Sequence, residues 1–161
     1  MIFRHIHIIL SLIIISTGCK GEESDGNQTP NDTEQQFADI SEVSATGSAE
    51  NYTFKVTISS PDTGCDQYAD FWEIVSEEGD LIYRRILLHS HVSEQPFTRT
   101  GGPVAIAADQ VIWIRAHMSN SGYGGITMKG SVSAGFITAE SEKDFALDLA
   151  QKEPLPDGCD F

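Results

Sequence analysis

Three histidines and two aspartates are the residues of this chain whose types and spacing suggest metal chemistry. His89 ends a predicted strand whose register continues to His91, His117 lies in another strand, and Asp66 and Asp70 flank the start of a third. A His-x-His pair on a strand turns both rings to one side of the sheet. Neutral imidazoles and carboxylates are ligands for Zn²⁺ or Cu²⁺. The pattern gives a candidate metal site, and the alternative is a rim of histidines that only hydrogen-bond nearby loops.

Cations and aromatic rings form a second group, in a chain whose net charge is −14. Guanidinium groups bind carboxylates in bidentate fashion, and aromatic rings stack on flat apolar surfaces. This combination is typical of an anionic or sugar-like ligand site, and its candidate residues are Arg85, Arg115, Trp113, Tyr123, Phe97 and Arg99. The alternative is that Arg85 and Arg115 pair with Glu73 and other acids across the sheet.

Catalytic motifs are absent from the sequence. It contains no Gly-x-Ser-x-Gly elbow, no His-Glu-x-x-His and no phosphate-binding loop. Ser90 stands between two histidines, but on a strand its side chain points to the opposite face. The sequence therefore favours a protein that is not an enzyme, with a metal-dependent enzyme at the histidines as the alternative.

The elements that position these residues are strands. Runs rich in β-branched and aromatic residues predict strands at 52–59, 68–75, 81–89, 104–107, 111–118 and 127–136. The segment 111–118 alternates most clearly, with Ile112, Ile114, Ala116 and Met118 on its apolar face. Glycine-rich loops are predicted at 101–103 and 119–125. Ser141 to Asp144 resembles a capping box that opens one short helix.

The strand pattern predicts an all-β fold. About seven short strands with a single C-terminal helix indicate a two-sheet β-sandwich, which resembles the immunoglobulin-like class through Trp72 in the third strand. A jelly roll is the alternative. In an immunoglobulin-like order the strand 68–75 lies between 81–89 and 111–118, which brings the histidines to one end of the sheet. On 81–89, Tyr83, Arg85 and His89 are then expected to face outward.

The cysteines indicate an oxidising compartment. The chain has three, and Cys65 and Cys159 form an even pair whose spacing is not that of a zinc site. We expect a Cys65–Cys159 disulfide that fastens the C-terminal tail to the domain.

The N-terminus contains a secretory signal. Arg4 precedes an apolar run from Ile8 to Ile15, and small residues lead to Cys19. This ending is similar to the lipobox of bacterial lipoproteins, and that resemblance implies that Cys19 is lipidated and becomes the mature N-terminus. The following residues 20–25 resemble the acidic surface-export signal of Bacteroidetes-type lipoproteins. The resemblance implies export across the inner membrane and a lipid anchor in the bilayer, at the outer membrane or cell surface.

Composition divides the chain into three parts. Residues 1–18 are the expected signal peptide. Residues 19–36 are expected to be the lipidated cysteine and a disordered acidic tether, because 20–36 contain no apolar side chain that could be buried. Residues 37–161 are the expected β-sandwich domain. The acidic balance excludes nucleic acid as a partner. Together these observations predict a lipid-anchored binding module at the cell envelope, whose partner is a glycan, an anionic ligand or an envelope protein. The alternatives are a small zinc- or copper-binding protein and a purely structural spacer.

Overall fold

Alternating apolar residues build the smaller of two sheets. The computed structural model describes residues 36–160. Three antiparallel strands form this sheet in the order β1-β2-β5: β1 (Asp39–Ser48), β2 (Asn51–Ser59) and β5 (Phe97–Val104). Alternate β2 residues, which include Phe54, Val56 and Ile58, are fully buried. They form the core with the facing sheet, as the period-2 pattern predicts.

The larger sheet has five antiparallel strands in the order β4-β3-β6-β7-β8. They are β3 (Ala69–Ser76), β4 (Leu81–Ile86), β6 (Ile112–Met118), β7 (Thr127–Ser131) and β8 (Gly135–Ala139). Strand β3 lies between β4 and β6, as an immunoglobulin-like order predicts. The predicted apolar face of β6 is confirmed, because its four members all belong to the core between the sheets. The fold is therefore a β-sandwich.

The outer face of the larger sheet is covered by residues 140–160, which we call the C-terminal strap. Every residue of β3 is buried, because both faces of the strand are covered. Trp72 and Ile74 face the core between the sheets. Phe71 and Glu73 lie on the opposite face, where Arg84 and Arg115 bind the strap. The strap contains one 3-10 helix, Leu147–Gln151.

The predicted capping box does not open this helix. Its N-cap is Ala146, in the left-handed region with φ 47°, and no side chain caps it. The carbonyl groups of Phe145, Ala146 and Leu149 accept hydrogen bonds from arginines of the sheet. Tertiary contacts to these carbonyls thus outweigh the local helix signal.

The predicted Cys65–Cys159 disulfide is confirmed, with a Cα–Cα distance of 5.5 Å and a sequence separation of 94. Two hydrogen bonds hold the same end of the strap. The Tyr68 hydroxyl donates to the carbonyl of Gly158, and the amide of Asp160 donates to the carbonyl of Leu88. The disulfide therefore fastens the strap to the loop before β3.

Several strand boundaries differ from the sequence prediction. The glycines at 101–102, predicted to be a loop, lie inside β5, which replaces the short strand expected at 104–107. The predicted strand 127–136 is two strands, β7 and β8, joined by a turn. Strand β1 was not identified at all, because its outward residues are polar and its sequence resembles a loop. Within residues 36–160, no helix is long and apolar enough to cross a bilayer.

Candidate functional site

A buried carboxylate organises the outer face of the larger sheet. Glu73 in β3 has a side chain that is 0% exposed, and it lies between Arg84 of β4 and Arg115 of β6. Arg84 donates from Nε (2.9 Å) and a terminal nitrogen to one Glu73 oxygen. Arg115 Nε donates to the other oxygen at 2.8 Å, and so does the Tyr123 hydroxyl. One fully buried carboxylate therefore serves two guanidinium groups.

The two guanidinium groups also bind the strap. Arg115 donates to the carbonyls of Phe145 (2.7 Å) and Ala146 (2.8 Å). Arg84 donates to three further strap carbonyls, those of Leu149, Lys152 and Pro154. Each guanidinium has five N–H donors in a fixed fork, which a lysine could not reproduce. The network thus joins the sheet to the strap and is structural.

Aromatic rings shield this network. The Arg84 guanidinium lies 4.0 Å from the Phe71 ring centroid, and that of Arg115 lies 3.7 Å from the Tyr123 ring. Burial and the adjacent Glu73 carboxylate raise the pKa of Tyr123, which remains a hydrogen-bond donor at neutral pH. The sequence analysis expected Tyr83 and Arg85 of β4 to face outward on this side of the sheet. That prediction is wrong, because β4 pairs with β3 so that Arg84 lies opposite Glu73 and Arg85 opposite Trp72.

His117 lies on the same outer face. Its Nδ1 is 2.7 Å from an oxygen of Asp70, and its ring stacks on Phe71 with centroids 4.4 Å apart. The Tyr123 ring meets it edge-on at 4.8 Å. His117 and Asp70, both predicted for the metal site, are therefore together.

His91 lies elsewhere, at the end of the core. Its ring stacks on Phe97 of the smaller sheet at 3.8 Å and is 4.6 Å from the His89 ring. The His91 residue is 3% exposed, and neither ring nitrogen has a hydrogen-bond partner among the described residues. Burial, with the Arg99 guanidinium and the His89 ring, lowers the pKa of His91. The ring is therefore neutral at pH 7.

The buried Asp62 carboxylate holds the loop that carries His91. It accepts hydrogen bonds from the Ser60 hydroxyl (2.6 Å), the Ala69 amide (3.0 Å) and the His91 amide (2.7 Å). The same carboxylate is 3.8 Å from His91 Nδ1, which is beyond hydrogen-bond distance.

The three histidines do not converge on one metal ion. His117 packs against Phe71 on the outer face, whereas His91 packs against Phe97 of the facing sheet. Strand β4 ends at Ile86, so the strand register does not extend to His89 and His91. Between residues 36 and 160 no group of three or more His, Cys, Asp or Glu side chains can hold a metal ion. The predicted Zn²⁺ or Cu²⁺ site on His89, His91, His117, Asp66 and Asp70 is corrected accordingly.

The predicted ligand-binding residues separate into three places. Arg115 and Tyr123 belong to the Glu73 network. Trp113 lies beside this network, with its ring centroid 5.5 Å from that of Phe145 and 4.8 Å from the Lys129 ammonium group. Phe97 lies beneath Arg99, which forms an ion pair with Glu94 at 2.9 Å. Arg85 is exposed at the opposite edge of the sandwich.

A cleft of about 970 Å³ opens beside Arg115 and Tyr123. It runs between the N-terminal residues 36–39, the loop 123–126 and the start of the strap. Its apolar wall residues are Phe37, Tyr123, Ile126, Phe145 and Leu147, and its charged residues include Glu140, Glu142 and Lys143. Asp39 also lines it, and one of its oxygens accepts the Ile126 amide.

The glycine-rich loop has a packing role at this cleft. A Cβ on Gly124 would lie 2.8 Å from the Phe37 ring, and one on Gly125 would overlap the carbonyl of Ala38. Glycine is therefore needed here for the close approach of the N-terminal segment. The sequence identified the loop but not its partner, which precedes β1.

Comparison with known proteins gives one clear similarity. A protein of Halomicrobium mukohataei named "Putative lipoprotein" is 36% identical over 106 residues. The matched region covers 66% of this chain and 51% of that protein, so the chain spans about half the length of this relative. No family model matches the chain, and no solved structure matches it.

Proposed function

We propose that this protein is a lipid-anchored β-sandwich that binds a small ligand at the cell envelope. Residues 1–18 act as the export signal, Cys19 carries the lipid, and the acidic segment up to residue 36 links it to the sandwich. The signal sequence, the Cys65–Cys159 disulfide and the lipoprotein name of the 36% identical relative support this proposal. A disulfide between distant segments is typical of exported proteins.

The anchor is tested by replacing Cys19 with serine. Wild-type protein should partition with membranes and enter the detergent phase, whereas Cys19→Ser protein should remain in the aqueous phase. Cys65→Ser serves as the matched control, since it removes a cysteine of the disulfide rather than the anchor and should still partition with membranes. Detergent partitioning by the Cys19→Ser variant would contradict the anchor. Protease added to intact cells then tests the surface location implied by residues 20–25.

The cleft is the observation that supports ligand binding. Its volume of about 970 Å³ lies at the upper end of the range for small-molecule sites, which are mostly apolar with a few polar groups. Glu73 already neutralises part of the guanidinium charge around Arg115. Among the exposed charged residues of the cleft, the two carboxylates of Glu140 and Glu142 outnumber the single ammonium group of Lys143. We infer an amphipathic ligand with an apolar body and a cationic end, which aromatic walls also favour.

Two probes of similar size test this charge preference. Benzyltrimethylammonium should bind several times more tightly than benzenesulfonate in calorimetric titrations of the purified protein. Thr138→Trp places a large ring at a residue that lines the cleft and should abolish binding of the cation. The neighbouring Ile137, which is 73% exposed and does not line the cleft, supplies the control Ile137→Trp. Unchanged binding by Thr138→Trp would refute the cleft as the site.

A further inference from the structure

A small notch at the opposite edge of the sandwich has hydrogen-bond donors and no carboxylate. It has a volume of about 230 Å³, and its lining residues are Thr53, Tyr83, Arg85, Thr100, Gly101 and Gly102. Strands β4 and β5 form the edges of their sheets, and the notch lies where these two edges approach each other. Its location is separate from the cleft described above.

Arg85 differs from the other arginines of residues 36–160. Arg84 and Arg115 bind Glu73, and Arg99 pairs with Glu94. Arg85 has no hydrogen bond or ion pair to any described residue, and it is exposed. In a chain with 24 acidic residues, a guanidinium without a carboxylate partner is available for an external anion.

The surrounding groups give the notch its shape. The Tyr83 hydroxyl oxygen accepts a hydrogen bond from the amide of Gly102 at 2.9 Å, which leaves the phenolic proton free to donate another. A Cβ on Gly101 would lie 2.7 Å from the Trp72 ring and 2.8 Å from Tyr83, so only glycine allows β5 to approach these rings. The rings of Tyr83 and Trp72 are 5.6 Å apart, which holds Tyr83 in place.

We propose that the notch binds a carboxylated sugar residue, such as a uronic acid. The Arg85 guanidinium would take the carboxylate in a bidentate pair, and the hydroxyls of Thr53 and Thr100 would bind sugar hydroxyls. The notch volume lies below the usual range for drug-sized ligands, which suits one sugar unit. Charges beyond about 8 Å are largely screened at physiological salt, so the local cation outweighs the net charge of −14.

Saturation-transfer NMR on the full protein in detergent micelles tests this site with three probes. Glucuronate should receive saturation from the protein, glucose should receive little, and acetate should receive less than glucuronate. Arg85→Gln should weaken glucuronate binding about tenfold or more, because a charge-assisted pair is lost. Arg85→Lys should retain only part of the affinity, because an ammonium group cannot form the bidentate pair.

Arg99→Gln is the matched control, because it removes a guanidinium that already has a carboxylate partner. It should leave glucuronate binding unchanged. Equal binding of glucose and glucuronate would overturn the role of Arg85, and equal binding of acetate and glucuronate would overturn the sugar part of the proposal. Absence of glucuronate binding, or an equal loss in Arg99→Gln, would overturn the site itself.

Discussion

Glu73 is the residue whose replacement tests the buried ionic network most directly. The change Glu73→Gln keeps the shape of the side chain but removes the charge shared by Arg84 and Arg115. Loss of one partner from a buried ion pair costs about 3–5 kcal/mol, because an uncompensated charge remains in the interior. Here one carboxylate serves two guanidinium groups, so we expect about 4–5 kcal/mol. This is a large share of the roughly 5–15 kcal/mol that stabilises a typical domain.

The assay is urea unfolding followed by tryptophan fluorescence, with a thermal scan as the second measurement. For a domain of this size, 4–5 kcal/mol corresponds to a Tm decrease of roughly 12–20 °C. Glu94→Gln is the matched control, because Glu94 also accepts from an arginine but is exposed. The control should unfold close to the wild-type midpoint, since exposed ion pairs contribute little.

A loss below about 1 kcal/mol in Glu73→Gln would refute this reasoning, because the guanidinium charges would then be compensated elsewhere. If Glu73→Gln fails to fold, the triple change of Glu73, Arg84 and Arg115 to Met decides the issue. Removing all three charges should restore a folded sandwich. The strap should nevertheless exchange its amide hydrogens faster than in the wild type, because its carbonyls have lost the guanidinium donors.

Two further predictions concern the disulfide and the buried histidine. The double variant Cys65→Ala/Cys159→Ala should have a free energy of unfolding about 2–4 kcal/mol lower than the wild type, because the disulfide closes a long loop. A reductant should lower the urea midpoint of the wild type but not that of the variant. Burial lowers the pKa of His91 from 6.5, so the unfolded chain takes up a proton at a higher pH than the folded one. The free energy of unfolding should therefore fall as the pH drops below about 6.5. The variant His91→Phe keeps an aromatic ring against Phe97, and its free energy of unfolding should fall less between about pH 7.5 and 5.5. Equal losses in His91→Phe and the wild type would contradict this assignment.

The fold class could be predicted from the sequence because its signals are local. The alternation of apolar residues in β2 and β6 determines which side of each strand is buried, and the structure confirms both faces. The even pair of Cys65 and Cys159 was enough to predict their disulfide. Strand β1 was missed because its outward residues are polar, and its burial depends on pairing with β2 and contact with the larger sheet.

The candidate sites depended on contacts that no local pattern contains. The alternation of faces that was expected from Leu81 to His91 does not continue past Ile86, where β4 ends. His89 and His91 therefore lie in a loop, which the Asp62 carboxylate holds through the His91 amide. A charged residue between the apolar residues of the segment FWEIV was the only local sign of the central role of Glu73.

Sequence alone determined the acidic balance, the β-rich character and the cysteine pair, since each depends on composition or on neighbouring residues. The export signal is a prediction of the same kind, and it lies outside the described residues. Only the tertiary structure decided that Arg84 rather than Arg85 faces Glu73, because that depends on the pairing of β3 with β4. It also separated His91 from His117 and created the cleft and the notch. Each of these arises where segments distant in sequence meet, and their approach is determined by the packing of the whole domain.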